Sequence, residues 1–504
     1  MKPQMKRTNL GQERELGQLE GVSSPEHRSS DASTGTSGSS SVGAADDREA
    51  AKLGLWRLSW PIGIELMLQF LMGTVDTLMV SRIGDNAVSA VGVSNQILQA
   101  AMMLFTVVNA GAGAILARMW GARQWDKARK TAAIAIQVNI AFGLAGGAFF
   151  AFGSGWVLRL MGVPGEVRGY ASDYLAIVGT ALIVITLHLV VNALIRNTGN
   201  TKGPMVITVA MNGMHLLLNY ALIFGAGSIP AIGVEGSALS TVISRLAALA
   251  AALFVLWRTF RPRLGRADFR GAGRGLMREI LAIGLPVSVT AMSWGFSQLV
   301  LLAVISSLGP VPLAAYTYLQ TVEQFPWMIA SAVGGALAIQ IGHWHGAGLH
   351  ERVRRGPLRA IQAGTLLILV SSAGLWLAGE PVLRLFTGDE AVIAASLPLL
   401  ALCIAWQALR VIPFCLSGAL NVVGGARPVA AMSVIGMWFV STGGAYAFGA
   451  AFGWGLKGVL LAMILDEIAR GVCFAFLWVR RYRKRIDTEH MFSYSKNEEY
   501  STTS

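Results

Sequence analysis

Between Leu53 and about residue 480 the chain returns again and again to apolar runs of roughly 20 to 30 residues, each long enough to cross a bilayer as a helix. The runs lie at 55–81, 86–117, 128–152, 169–195, 204–225, 233–257, 279–307, 311–341, 357–378, 391–420, 428–451 and 455–479. Lipid offers no hydrogen bonds, so each run must satisfy its own backbone polar groups, and the α-helix does that within one segment. The pattern predicts an all-α integral membrane protein of twelve transmembrane helices. Composition agrees: 54% of the residues are apolar and 14% charged, where a water-soluble domain carries about 25% charged residues.

Net charge is +13, which raises nucleic acid as a partner, but the distribution of charge argues against it. Residues 1–50 hold six Lys or Arg against eight Asp or Glu. With their Ser/Gly-rich stretch from Ser29 to Val42 they read as a disordered tail. They do not form a signal peptide, because a long polar stretch precedes the first apolar run. The positive excess sits in alternate loops. Arg118, Arg123 and Lys127, then Arg196 and Lys202, then the seven arginines from Arg258 to Arg278, then Arg352, Arg354 and Arg355 follow even-numbered segments. The odd-numbered loops hold only Arg82, Arg159, Arg168, Arg384 and Lys457. By the positive-inside rule both termini are expected in the cytoplasm of a multi-pass cell-membrane protein, and Arg480 to Arg485 agree.

An internal repeat at a spacing of 225 residues organises the chain. Pro61 matches Pro286, Gly84 matches Gly309, Ala90 matches Ala315, Gly121-Ala122 matches Gly346-Ala347 and Gly199 matches Gly424. After a shift of three, Gly233-x-x-Gly236 matches Gly455-x-x-Gly458. Six helices per half is an even number, so both halves insert the same way round and are related by an axis along the membrane normal. The expected architecture is two pseudo-symmetric six-helix bundles, 51–257 and 279–480, around a central cleft, joined by a basic cytoplasmic connector at 258–278 and followed by a tail at 481–504. That is an arrangement suited to transport.

A charge at the bilayer centre costs about 2.5 to 3.5 kcal/mol on insertion scales, so each one needs a reason. In the first segment Glu65, Gln69, Met72 and Asp76 recur at steps of four, three and four and share one helix face. A carboxylate there, facing a cavity, would alternately bind a cation, a proton or a cationic substrate; the alternative is a buried acid neutralised by its neighbours. The eighth segment carries Tyr316, Gln320, Glu323 and Gln324, and the tenth Gln407 and Arg410, the one arginine read as well inside a segment. Glu323 and Arg410 are a potential ion pair. His188 and Asn192, and again His215 and Asn219, stand at i, i+4. Each pair fits an interhelical hydrogen bond or a proton relay.

Other chemistry lacks its residues. There is no Gly-x-x-x-x-Gly-Lys-Ser/Thr loop for a nucleotide. His343 and His345 flank Trp344 without acidic or thiol co-ligands nearby in sequence, and Cys403, Cys415 and Cys473 have no disulfide or zinc spacing. His350-Glu351 is not followed by the second histidine of a metalloprotease. No enzyme, no metal and no cofactor are expected.

Several fragments resemble the multidrug and toxic compound extrusion, or MATE, family: Trp60-Pro61, Val75 to Val80, Arg82-Ile83-Gly84, Ala90-Val91-Gly92, Ala117 to Ala122, Arg196 to Lys202, Asn219 to Gly225 and Gly233-x-x-Gly236-Ser237-Ala238. Their order and spacing cover about residues 53–480. The resemblance implies a secondary active exporter of amphipathic organic cations, drugs or metabolites, working by antiport against sodium ions or protons. Two bundles would rock between outward-open and inward-open states. It implies that Asp76 is the central ion-coupling residue, with further ligands on the fifth and sixth segments near His215, Asn219 and Ser237. Some members have an acid where Asn219 stands. Many have a glutamate on the seventh segment where this chain has Trp294, and an aspartate on the tenth where it has Arg410, so their second cation site does not carry over. The wider cavity is expected to be lined by Glu65, Gln69, His188, Asn192, Gln320, Glu323, Gln407 and Arg410. Small molecules and membrane lipids are the expected partners of a monomer. The rival reading is a flippase for lipid-linked oligosaccharides of the same architecture, in which Arg410 and the basic loops bind a diphosphate headgroup.

Overall fold

A computed structural model describes residues 53–227, 230–270 and 273–501, without the side chains of Leu104 and of the residues after Tyr482. The tail at 1–50 lies outside them, as do the side chains of the basic run beyond Tyr482. The helices are α1 (Leu55–Val80), α2 (Asp85–Gly121), α3 (Trp125–Leu160), α4 in two pieces (Gly165–Thr180 and Leu182–Asn197), α5 (Lys202–Phe224) and α6 (Gly233–Thr259). The second half repeats them as α7 (Arg274–Ser306), α8 (Pro310–Gly346), α9 (His350–Leu377), α10 (Glu390–Val422), α11 (Ala426–Ile435 and its continuation) and α12 (Gly455–Ser501). Short helices Arg266–Arg270 and Gly379–Arg384 lie in the loops.

Three elements depart from plain apolar helices. The pieces of α4 meet at a 50° bend. Beyond Ile435, α11 widens into π-helical turns over Gly436–Thr442 and Ala445–Ala451, a distortion that clusters at functional sites. The middle of α12 carries three charged residues, Asp466, Glu467 and Arg470, within an otherwise apolar run.

The repeat is visible in the packing. Between the halves, α1 packs on α8 and α2 on α7, which the pseudo-two-fold exchanges, and α2 crosses α8 on the axis itself. Gly199 and Gly424 end the fourth and tenth spans with the same positive φ of 92°, a left-handed turn that favours glycine. Outward faces hold Phe152, Leu217 and Leu377 almost fully exposed, the inverse of a soluble protein and suited to lipid.

The apolar cores fix the state of the molecule. One core runs through both halves at the end where the basic loops gather, joining Ile115, Leu116 and Ile195 to Leu337, Ile341 and Val422. At the opposite end there are two cores. Val80, Leu98, Phe150 and Tyr174 belong to the first half alone, and Leu301, Ile305, Leu383 and Leu460 to the second alone. The bundles are therefore fused at the basic end and separate at the other. His343 Nε2 lies 2.9 Å from the Asn197 carbonyl across the fused end.

Candidate functional site: a carboxylate in the first bundle and an ion network in the second

Asp76 is buried one turn from the end of α1. Its Oδ1 accepts a hydrogen bond from Asn219 Nδ2 at 2.6 Å and lies 3.2 Å from His215 Nε2. Because His215 and Asn219 are i, i+4 on α5, one helix face presents both nitrogens to the same oxygen. Ser240 Oγ on α6 donates to Asn219 Oδ1 at 2.9 Å, which fixes the amide with its nitrogen toward Asp76. Ser244 Oγ, a turn further on, is 3.4 Å from His215 Nδ1. Gly236 makes this possible: a Cβ there would stand 2.6 Å from the Leu222 carbonyl oxygen, so the backbones of α5 and α6 touch one turn ahead of Ser240.

Two further groups surround the carboxylate. Tyr174 of α4 is buried, with its hydroxyl 3.5 Å from Asn95 Oδ1, and feels the charge of Asp76. Arg245 of α6 lies in the field of Asp76 and Tyr174, and its Nε is buried without a hydrogen-bond partner among the described residues. The expected Ser237 is buried nearby, but its carbonyl serves Ser240 and Thr241 and its hydroxyl makes no hydrogen bond among the described residues.

Other polar residues of the first bundle settle elsewhere. Glu65 pairs with Arg196 Nη1 at 3.1 Å, tying α1 to the end of α4. His188 Nε2 is 2.9 Å from Asn192 Nδ2 within α4. Gln69 is exposed.

In the cleft a cavity of about 490 Å³ brings Phe70 of the first bundle to Trp294, Gln298, Tyr316, Gln320 and Gln324 of the second. Gln320 Nε2 donates to the Tyr316 hydroxyl. At the foot of the cleft, Phe70 meets Phe325 edge to face at 5.8 Å between ring centroids. Trp294 and Gln298 also line a second, small pocket of about 40 Å³, whose other walls include Arg410, Asp466, Glu467 and Arg470.

That pocket corrects two expectations. Arg410 is not the lone arginine inside a span, since Arg245 and Arg470 are inside as well. Its nearest acid is Glu467 on α12, with Nε to Oε1 at 3.7 Å, and not Glu323. Arg470 Nη2 holds both acids, Asp466 at 2.6 Å and Glu467 at 2.9 Å. Arg410 also stacks over Trp406, its guanidinium carbon 5.2 Å from the ring centroid. Glu323 stays buried on α8, its backbone carbonyl accepting from Gln407 Nε2 at 3.4 Å. Among the described residues no group of three His, Cys, Asp or Glu side chains is placed to hold a metal ion.

A family model named MatE matches residues 61–221 and again 286–447, its two copies starting 225 residues apart. The chain belongs to the MATE family. It is 29% identical to the uncharacterized transporter YisQ of Bacillus subtilis over 432 residues, covering 86% of this chain and 94% of that protein. It is 26% identical to the probable multidrug resistance protein NorM of Thermotoga maritima, over 82% of this chain and 89% of that one. Among solved structures, an outward-facing MATE transporter of the MOP superfamily superposes with a TM-score of 0.77 at 22% identity, over 85% and 95% of the two chains. As a MATE protein this chain is a membrane transporter, and its twelve helices form the two bundles of that fold. The arginines inside its second bundle are matched by acids on α12 and are not arrayed for a diphosphate headgroup, so nothing here supports the flippase reading.

Proposed function

We propose that this MATE protein exports amphipathic organic cations in exchange for protons, with Asp76 as the coupling group. The observation that carries the reading is the single carboxylate oxygen flanked by two nitrogens, His215 Nε2 and Asn219 Nδ2. Hard cations such as sodium are bound by shells of oxygens. A site that offers N–H groups to its acid lacks that oxygen shell, which favours a proton as the coupling ion.

The same bonds suggest how a proton moves helices. While ionised, Asp76 holds α1 to α5 and, through Asn219 and Ser240, to α6. Protonation removes the charge that both nitrogens face and loosens α1 from its bundle. Substrate in the cleft, against Trp294, Tyr316 and Gln320, favours the opposite state, and exchange follows because proton and substrate each bind the two states unequally. A one-unit pH gradient supplies about 1.4 kcal/mol per proton, enough for about a tenfold substrate gradient at one-for-one exchange. With the basic loops cytoplasmic, the fused end faces inward and the separated end opens outside.

The test is transport of a fluorescent organic cation in proteoliposomes under a pH gradient and, separately, a sodium gradient. The pH gradient alone is expected to drive wild type, and Asp76→Asn, which keeps the shape of the side chain, is expected to abolish that drive. Driving by sodium alone, or undiminished export by Asp76→Asn, would overturn the proposal.

A further inference from the structure

The two halves differ in how they finish one detail that both share. Asp126 and Arg129 at the start of α3 stand 225 residues before Glu351 and Arg354 at the start of α9, and both pairs close as i, i+3 ion pairs at 2.6 and 2.7 Å. On α3 a second acid completes the arrangement. Asp268, from the short connector helix Arg266–Arg270, reaches Arg129 Nε at 3.3 Å, and Gln137 Nε2 holds the neighbouring Phe269 carbonyl at 2.8 Å.

The corresponding place on α9 is a pocket of about 580 Å³. Its walls include Leu55 at the start of α1, Trp344 of α8, and Arg352, Arg355 and Arg359, which share one face of α9 at i, i+3 and i+7. Glu351 is the single acid lining it, already divided between Arg354 and Arg355. Arg359 makes no ion pair among the described residues. The Trp344 indole nitrogen is buried and has no acceptor there. The wall thus presents positive charge and an unused N–H donor, the complement of a phosphate.

Below the arginines, α9 continues as an exposed apolar stripe through Leu358, Leu366 and Val370. The pocket lies at the end of the spans where the basic loops gather. An anion that fits both parts has a charged head and an apolar tail. We propose that this pocket binds the phosphate headgroup of an anionic phospholipid, with its acyl chains along α9. The lipid would touch α1 of the first bundle and α8 and α9 of the second, so its binding favours the state fused at the basic end. This inference does not depend on which ion drives transport.

The test uses the full chain reconstituted in phosphatidylcholine, with and without phosphatidylglycerol. Native mass spectrometry reads the lipid retained and thermal unfolding reads the stabilisation. Wild type is expected to retain phosphatidylglycerol and to unfold at higher temperature when it is present. Arg355→Ala with Arg359→Ala is expected to lower retention about fivefold per arginine and to lose the stabilisation, with unfolding in pure phosphatidylcholine unchanged. Lys130→Ala, at the place matching Arg355 on α3, should retain the lipid as wild type does. As a second, independent variant, Trp344→Phe keeps the packing, removes the N–H and should also weaken retention. Retention unaffected by all these changes would overturn the proposal. So would equal destabilisation of the double variant in both membranes, because the arginines would then be satisfied by the chain itself.

Discussion

Gly121 and Gly346 occupy the same position in the two repeats and lock into each other's helices. A Cβ on Gly121 would stand 2.1 Å from the His343 carbonyl oxygen, and one on Gly346 would stand 2.0 Å from that of Arg118. The crossing of α2 and α8 at the fused end is thus backbone against backbone, in the manner of small-residue contacts between membrane helices. Gly284 repeats the device between α7 and α2, 1.9 Å from the Val107 carbonyl oxygen by the same measure.

Gly121→Ala is therefore expected to push the basic ends apart, at a cost of about 1 to 3 kcal/mol to the present state. Spin labels at Ser81 and Ser307, in the loops at the opposite end, would report it. With Cys473 replaced, the label distance should shorten relative to the glycine parent as the population moves to the inverse state. An unchanged distance distribution would show that the crossing tolerates a methyl group.

Ser240→Ala should weaken coupling without abolishing it. The hydroxyl does not touch Asp76; it orients Asn219, and one such hydrogen bond contributes about 1 kcal/mol. A roughly fivefold fall in proton-driven uptake is expected, with substrate binding at the cleft unaltered. Equal losses in both measurements would point to general disruption of α6.

Arg470→Ala should be the most destabilising change in the second bundle, because it strands Asp466 and Glu467 in the interior. Loss of one partner of a buried pair costs about 3 to 5 kcal/mol. Adding Glu467→Gln removes one stranded charge and should recover part of the loss in thermal unfolding. A double variant no better than the single would mean that Glu467 is already neutral or supported by Arg410 alone.

Trp294→Ala should raise the KM for organic cations about 5- to 30-fold, the range of a desolvated cation–π contact of about 1 to 2 kcal/mol, with much less effect on uncharged substrates. Proton-driven turnover at saturation should survive, since the tryptophan lines the cleft and not the carboxylate site. Similar KM changes for both substrate classes would assign it a packing role.

The twelve spans, the proline and glycine marks of the repeat and the i, i+4 pair of His215 and Asn219 were legible because each shows in a short stretch of sequence. Apolar length, proline and glycine spacing, and i, i+4 polar pairs each show in a short window. Partnerships between distant helices do not. Glu323 and Arg410 looked like mates because they were the conspicuous charges of their segments, yet Arg410 faces Glu467, and the α6 hydroxyl that reaches Asn219 is that of Ser240, which no local pattern singled out. One signal was available: Arg245, Asp466, Glu467 and Arg470 sit in apolar runs as plainly as Asp76 does, and the same insertion cost applies to each. The bend in α4 and the widened turns of α11 have no comparable signature, since both arise from how a helix meets its neighbours.

The π-helical turns of α11 bear on the division of labour between the halves. Carrying the 225-residue offset across α5 brings His215 to Val440 and Asn219 to Gly444, and Asp76 on α1 to Leu301 on α7. The duplicate of the helix that grips the carboxylate has neither the histidine nor the asparagine at the matching positions, and its backbone widens against α12 instead. On the reading proposed above, one half holds the coupling carboxylate and the other most of the cleft wall, so a single event on one side must tilt both.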